Sequence, residues 1–168
     1  MFYYAIDNRN NEDPDMQTDV LIEWESSETE IQGSAHLIMT LQQVQNHITG
    51  GEFIYKITDT GIIDRPAEEI FLSKKSKHKG NIKEKYFTAI IWSDDEKVFY
   101  DKLKATNPYN NEYDYWYAAV MQYWDEAWDC YHTCKNNITE AANEAELYAV
   151  EFAPNYTKTY QEIKEMKP

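Results

Sequence analysis

Apolar and polar positions alternate over the first third of the chain and take longer periods afterwards. Residues 2–7 (FYYAID) read as an aromatic strand ended by the polar run 8–15. Residues 20–25 (VLIEWE) predict a second strand, and residues 26–30 a turn. Ser34 is placed to cap a helix whose apolar face is Leu37, Leu41, Val44 and Ile48, at spacings of 4, 3 and 4, with Gly50-Gly51 ending it. Over residues 53–58, Phe53, Tyr55 and Ile57 alternate with Ile54, Lys56 and Thr58, which is a strand. Asp59-Thr60-Gly61 then turns the chain.

Residues 73–85 (SKKSKHKGNIKEK) show no period and predict an exposed loop or hairpin end. Residues 86–92 (YFTAIIW) read as a buried strand, and Ser93-Asp94-Asp95-Glu96 has the form of a capping box. A helix through Val98, Phe99 and Leu103 follows, stopped by Asn107-Pro108. The longest element predicted is a helix over residues 113–136. Its apolar face holds Tyr117, Val120, Met121, Trp124, Trp128 and Tyr131, and its polar face Gln122, Asp125, Glu126 and Asp129. This helix is expected to lay its Tyr117/Trp124/Trp128 face on a sheet containing residues 86–92. Residues 147–152 predict a late strand before Pro154, and residues 156–166 a terminal helix. No internal repeat, βαβ regularity or Gly-rich phosphate loop is visible. The expected fold is therefore α+β: one domain over residues 1–168, with a small, mainly antiparallel sheet packed against a few helices, one of them long and aromatic.

Charge sharpens this picture. The 168 residues carry 30 Asp+Glu against 16 Lys+Arg, a net charge of -14. The balance is -11 over residues 1–70, +4 over 71–104 and -7 over 105–168. Direct nucleic-acid binding is not expected, because its affinity comes mainly from cations neutralising phosphates. Anionic membrane surfaces are disfavoured for the same reason. A basic protein partner, or imitation of a polyanion, fits the acidic balance. Aromatic residues make up 15% of the chain, which argues for a packed core rather than disorder. The N-terminal residues lack a basic region and a long apolar run, so no secretory signal is expected. The two cysteines do not make a disulfide framework. Together these features lead to the expectation of a cytoplasmic protein.

The chemistry-bearing residues do not converge on a reaction. Cys130, His132 and Cys134 resemble a zinc set by composition, but on a helix His132 points about 160° away from Cys130. No metal site and no cofactor is expected. His36 and His47, eleven residues apart, are expected on one helix face about 16 Å apart, as surface histidines. His47-Ile48-Thr49 has an H-x-T form but no second copy, and His78 falls in the expected basic loop. There is no G-x-S-x-G, P-loop or H-E-x-x-H sequence. A binding protein rather than an enzyme is expected.

What remains is an acidic, aromatic surface. Residues 109–131 hold six tyrosines and three tryptophans, more than one core face needs. Tyr and Trp beside Asp are interface anchors that suit a basic partner. Within this stretch, Trp124-Asp125-Glu126-Ala127-Trp128-Asp129-Cys130 resembles the acidic helix of barstar-type ribonuclease inhibitors. In composition the whole chain is similar to immunity proteins of bacterial toxin systems, including contact-dependent inhibition. That resemblance implies a cytoplasmic immunity protein that occludes the active site of a basic toxin domain, for instance a nuclease. The expected partner-binding residues are Asp125, Glu126 and Asp129, with Asp114 and Tyr115. The alternative is an anti-defence protein acting as an acidic DNA mimic. The acidic segment 12–30 is a second candidate interface.

Overall fold

A computed structural model describes residues 1–10, 18, 20–21, 23–31, 36–50 and 54–168. The fold is α+β, and the chain divides into two compact units, Met1–Lys74 and Lys75–Pro168.

The N-terminal unit begins with strand β1 (Phe2–Ile6), the centre of a three-stranded antiparallel sheet of order β2-β1-β3. Strand β2 is Trp24–Ser27 and β3 is His36–Met39. Two expectations shift here. The second strand lies later than 20–25, because Ser26 and Ser27 pair with Tyr3 and Phe2, while Val20 makes only an isolated bridge to Lys56. A strand edge is thus set by its partner as much as by its own propensity. Leu37 belongs to β3, opposite Ala5, and not to a helix. Ser34, the expected cap, lies outside the described residues. Helix α1 (Leu41–Gly50) starts instead after Thr40. The Thr40 hydroxyl accepts from the Gln43 amide at 3.1 Å, and the Gln43 side chain accepts from the Thr40 amide at 2.8 Å, a reciprocal cap. The expected apolar face of this helix is wrong as well. Val44 and His47 are buried, whereas Leu41 and Ile48 face outward.

Strands β4 (Tyr55–Thr58) and β5 (Gly61–Asp64) form an antiparallel hairpin. Its turn needs Gly61, whose φ of 127° side chains rarely adopt. Ala5, Leu21, Met39, Val44, Tyr55 and Ile57 make the core of this unit.

Helix α2 spans Ala67–Thr106 without a break. Residues 73–85 are therefore helix rather than loop, and residues 86–92 are helix rather than strand. The reason is a longer period than either segment shows alone: Ile82, Tyr86, Ile90 and Ser93 are buried, at spacings of 4, 4 and 3. Ser93 caps nothing; its hydroxyl donates to the Ile90 carbonyl within the helix. The stop at Asn107-Pro108 agrees with the expectation.

Helix α3 (Asp114–Glu140) runs antiparallel to α2, with Tyr86 on Tyr131, Trp92 on Tyr123 and Tyr100 on Tyr117. It packs on a helix, not on the expected sheet. Its buried seam is Trp116, Val120, Tyr123, Ala127, Cys134 and Ile138, one face round from the expected one. Residues 147–152 are not a strand. Helix α4 (Glu144–Ala149), capped by the Asn143 side chain, covers part of that segment and buries Leu147. Helix α5 (Tyr160–Glu165) opens with a Thr159/Glu162 capping box and buries Ile163 against Trp116. Among the described residues no helix is long and apolar enough to cross a membrane.

Candidate partner-binding site

The inner seam of α3 fixes what its outer face presents. With Val120, Ala127 and Cys134 turned inward, the opposite stripe is Tyr115, Ala118, Gln122, Asp125, Asp129, Thr133 and Asn136, all exposed. Asp125, Trp128, Asp129 and His132 stand at i, i+3, i+4 and i+7, so they are neighbours on the helix surface. Trp128 is 39% exposed and stacks on Trp124 with ring centroids 5.3 Å apart and 13° between the planes. The His132 ring lies 4.3 Å from Trp128 on the C-terminal side. The patch is thus an indole held on two sides by rings and flanked by two carboxylates. A cationic side chain fits such a place: the carboxylates accept its N–H groups while its apolar stem lies along the exposed edge of the indole.

Of the five residues singled out in the sequence, Tyr115, Asp125 and Asp129 share the exposed stripe of α3, while Glu126 and Asp114 make bonds within the fold. Asp125 and Asp129 are exposed and lie together, one helical turn apart. Tyr115 is 75% exposed but lies about 15 Å along the axis from Asp125. Glu126 is turned aside to the C-terminal tail. It accepts from the Thr157 amide at 2.9 Å, from the Thr157 hydroxyl and from the Gln122 amide. Burial pushes its carboxyl up, but these donors outweigh burial and hold it below its usual range. Asp114 pairs with Lys104 at 2.7 Å and accepts from the Tyr100 hydroxyl at 2.8 Å. The Lys104 ammonium, then Tyr100, hold it below its usual range. Both carboxylates are occupied with their own fold.

Trp128 and His132 complete the patch and were not expected in it. The signal was the i, i+3, i+4, i+7 spacing from Asp125, obscured by counting Trp128 as core. The tyrosine surplus also finds its place. Tyr117 lies flat on Tyr100 at 3.8 Å, Tyr123 on Tyr156 at 3.9 Å and Tyr131 on Tyr86 at 4.7 Å. Tyr109 and Tyr115 are the tyrosines of the stretch that stand in solvent.

The histidines separate. His36 pairs with Glu25 at 2.7 Å from strand β3. His47 is buried against Tyr55, not a surface residue. His78 sits in α2 with Nε2 2.9 Å from the Val150 carbonyl, not in a loop. Cys130 and Cys134 are free thiols. Cys134 donates to the Glu151 carbonyl, and burial, then its neighbour Cys130, pushes it up to about 11. Among the described residues no group of three or more His, Cys, Asp or Glu is placed to hold a metal ion. No family model, curated protein or solved structure matches the chain.

Proposed function

We propose that this chain is a cytoplasmic immunity protein whose α3 patch binds a basic toxin domain and blocks its active site. One observation carries the reading: Asp125 and Asp129 are exposed one turn apart beside the half-exposed, ring-stacked Trp128. Carboxylates rich enough to steer a cation and an aromatic rigid enough to anchor it are the elements of an interface hot spot. A net charge of -14 adds long-range attraction for a basic partner. A DNA mimic is less well served, because the other exposed positions of this stripe (Ala118, Gln122, Thr133 and Asn136) carry no charge.

The test is growth rescue. Immunity genes lie directly after their toxin genes in such systems, so the protein encoded just upstream should arrest growth when expressed alone. Co-expression of this chain should restore growth. Trp128→Ala should weaken the complex by about 2 kcal/mol or more if Trp128 is the central anchor. If the upstream product is harmless, or if its toxicity persists beside the wild-type chain, the reading fails.

A further inference from the structure

We propose that the outer face of α2 pairs two copies of this chain, helix against helix and antiparallel. The observation is independent of the α3 patch. Gly80, Glu84, Phe87, Ile91, Asp94 and Val98 follow one another at spacings of 4, 3, 4, 3 and 4, a helical seam turned away from the buried Ile82, Tyr86 and Ile90. Its large apolar members are open to solvent: Phe87 is 52% exposed, Ile91 69% and Val98 51%. Scattered apolar residues on a surface need no explanation, but three aligned on one helix face do. Gly80, Lys83, Glu84, Phe87, Thr88 and Ile91 line a shallow groove along this face.

Two features select a second copy as the occupant. The first is symmetry. With a two-fold axis level with Ala89, antiparallel helices bring Phe87 opposite the second copy's Ile91. The same axis brings Gly80 opposite its Val98. A Cβ on Gly80 would meet nothing within 4 Å, so that end of the groove has room for a branched side chain. The second feature is charge. Residues 74–85 carry six lysines against Glu84, whereas residues 86–101 carry Asp94, Asp95, Glu96 and Asp101 against Lys97. Lys75 and Glu96 are turned inward to Thr139 and Lys167, but Lys83, Asp94 and Asp95 lie beside the seam, so antiparallel pairing sets unlike charges level across it and parallel pairing would set like against like. Lys83 comes level with Asp94 and Asp95 of the second copy. Glu84 also comes level with Asp94, a repulsion that Lys83 beside it offsets in part and that removal of Glu84 should relieve.

Sedimentation velocity of the full chain over a concentration series tests this. The wild type should show a reversible monomer–dimer equilibrium that weakens as salt rises. Ile91→Asp and Lys83→Glu should each weaken dimerisation by about tenfold or more, a loss of about 1.4 kcal/mol. Adding Asp94→Lys and Asp95→Lys to Lys83→Glu should restore it, and Glu84→Gln should strengthen it. All these positions are exposed, so far-UV circular dichroism should be unchanged. A wild type that stays monomeric at every concentration would overturn the proposal. So would a dimer indifferent to Ile91→Asp, or one that the charge swap fails to restore.

Discussion

Asp125, Glu126 and Asp129 sit within one turn of helix and have different tasks. Asp125 and Asp129 face solvent, while Glu126 fastens the segment around Thr157 to α3. Removing Glu126 would leave the Thr157 amide and hydroxyl without their acceptor. Glu126→Ala is expected to lower the unfolding free energy by about 1–2 kcal/mol, measured by urea denaturation. Thr157→Ala should cost a similar amount or less, and the double variant less than the sum, because both act on one set of bonds. The same carboxylate gives a pH dependence. Its folded-state value lies below the ordinary 4.5, so its stabilisation is present above that value and is lost as pH falls through the depressed one. Glu126→Gln should therefore show a shallower loss of stability between neutral and acidic pH than the wild type. Trp116 is the other residue on which much depends. It is buried among Phe99, Tyr113 and Ile163, and Lys167 lies over its ring. Trp116→Ala is expected to cost about 3–5 kcal/mol.

At the scale of elements, the α2–α3 hairpin depends on where small residues fall. Ala127 is fully buried beside Tyr86 and Ile90. A larger side chain there has to push the helices apart. Ala127→Leu should lower the denaturation midpoint by the equivalent of about 1–3 kcal/mol, despite adding apolar surface. This seam also explains what the sequence could and could not disclose. The α3 helix and its exposed carboxylates were legible, because Asp125 and Asp129 are flanked by a strong apolar period. Its phase was misread because Trp124 and Trp128 outweigh Ala119, Ala127 and Cys134 in hydrophobicity. In the structure the small residues take the seam and the indoles stack on its flank. Helix α2 was hidden for a related reason. Residues 86–92 are β-branched and aromatic enough to read as a strand, and their helical period emerges only with Ile82 and Ser93 included. The lysines of 73–85 offered no apolar period, yet Lys75 donates to the Thr139 carbonyl and His78 meets Val150, tertiary contacts that a local pattern cannot show. The turn at Asp59-Thr60-Gly61 was legible because its geometry is written in the turn residues themselves, whereas the short β5 strand that completes the hairpin was not read.

For the molecule as a whole, the carboxylates that serve the fold are separate from those of the proposed binding patch. The acidic patch of α3 lies on solvent, while the carboxylates that serve the fold, Asp114 and Glu126, are engaged at the surface by Lys104 and by Thr157. Reversing Asp125 and Asp129 to lysine should therefore leave unfolding free energy within about 0.5 kcal/mol of wild type. The same change should act strongly on a cationic partner. The most direct measurement is stopped-flow association and equilibrium binding of the toxin domain that the proposed function places upstream, comparing the wild type with Asp125→Lys/Asp129→Lys across a salt series. The account predicts fast association that slows as salt rises. It also predicts a loss of several kcal/mol in the double reversal, because the partner's cations would be left buried and unpaired. Unchanged affinity and association rate in the double reversal would contradict it and remove this face of α3 from the interface.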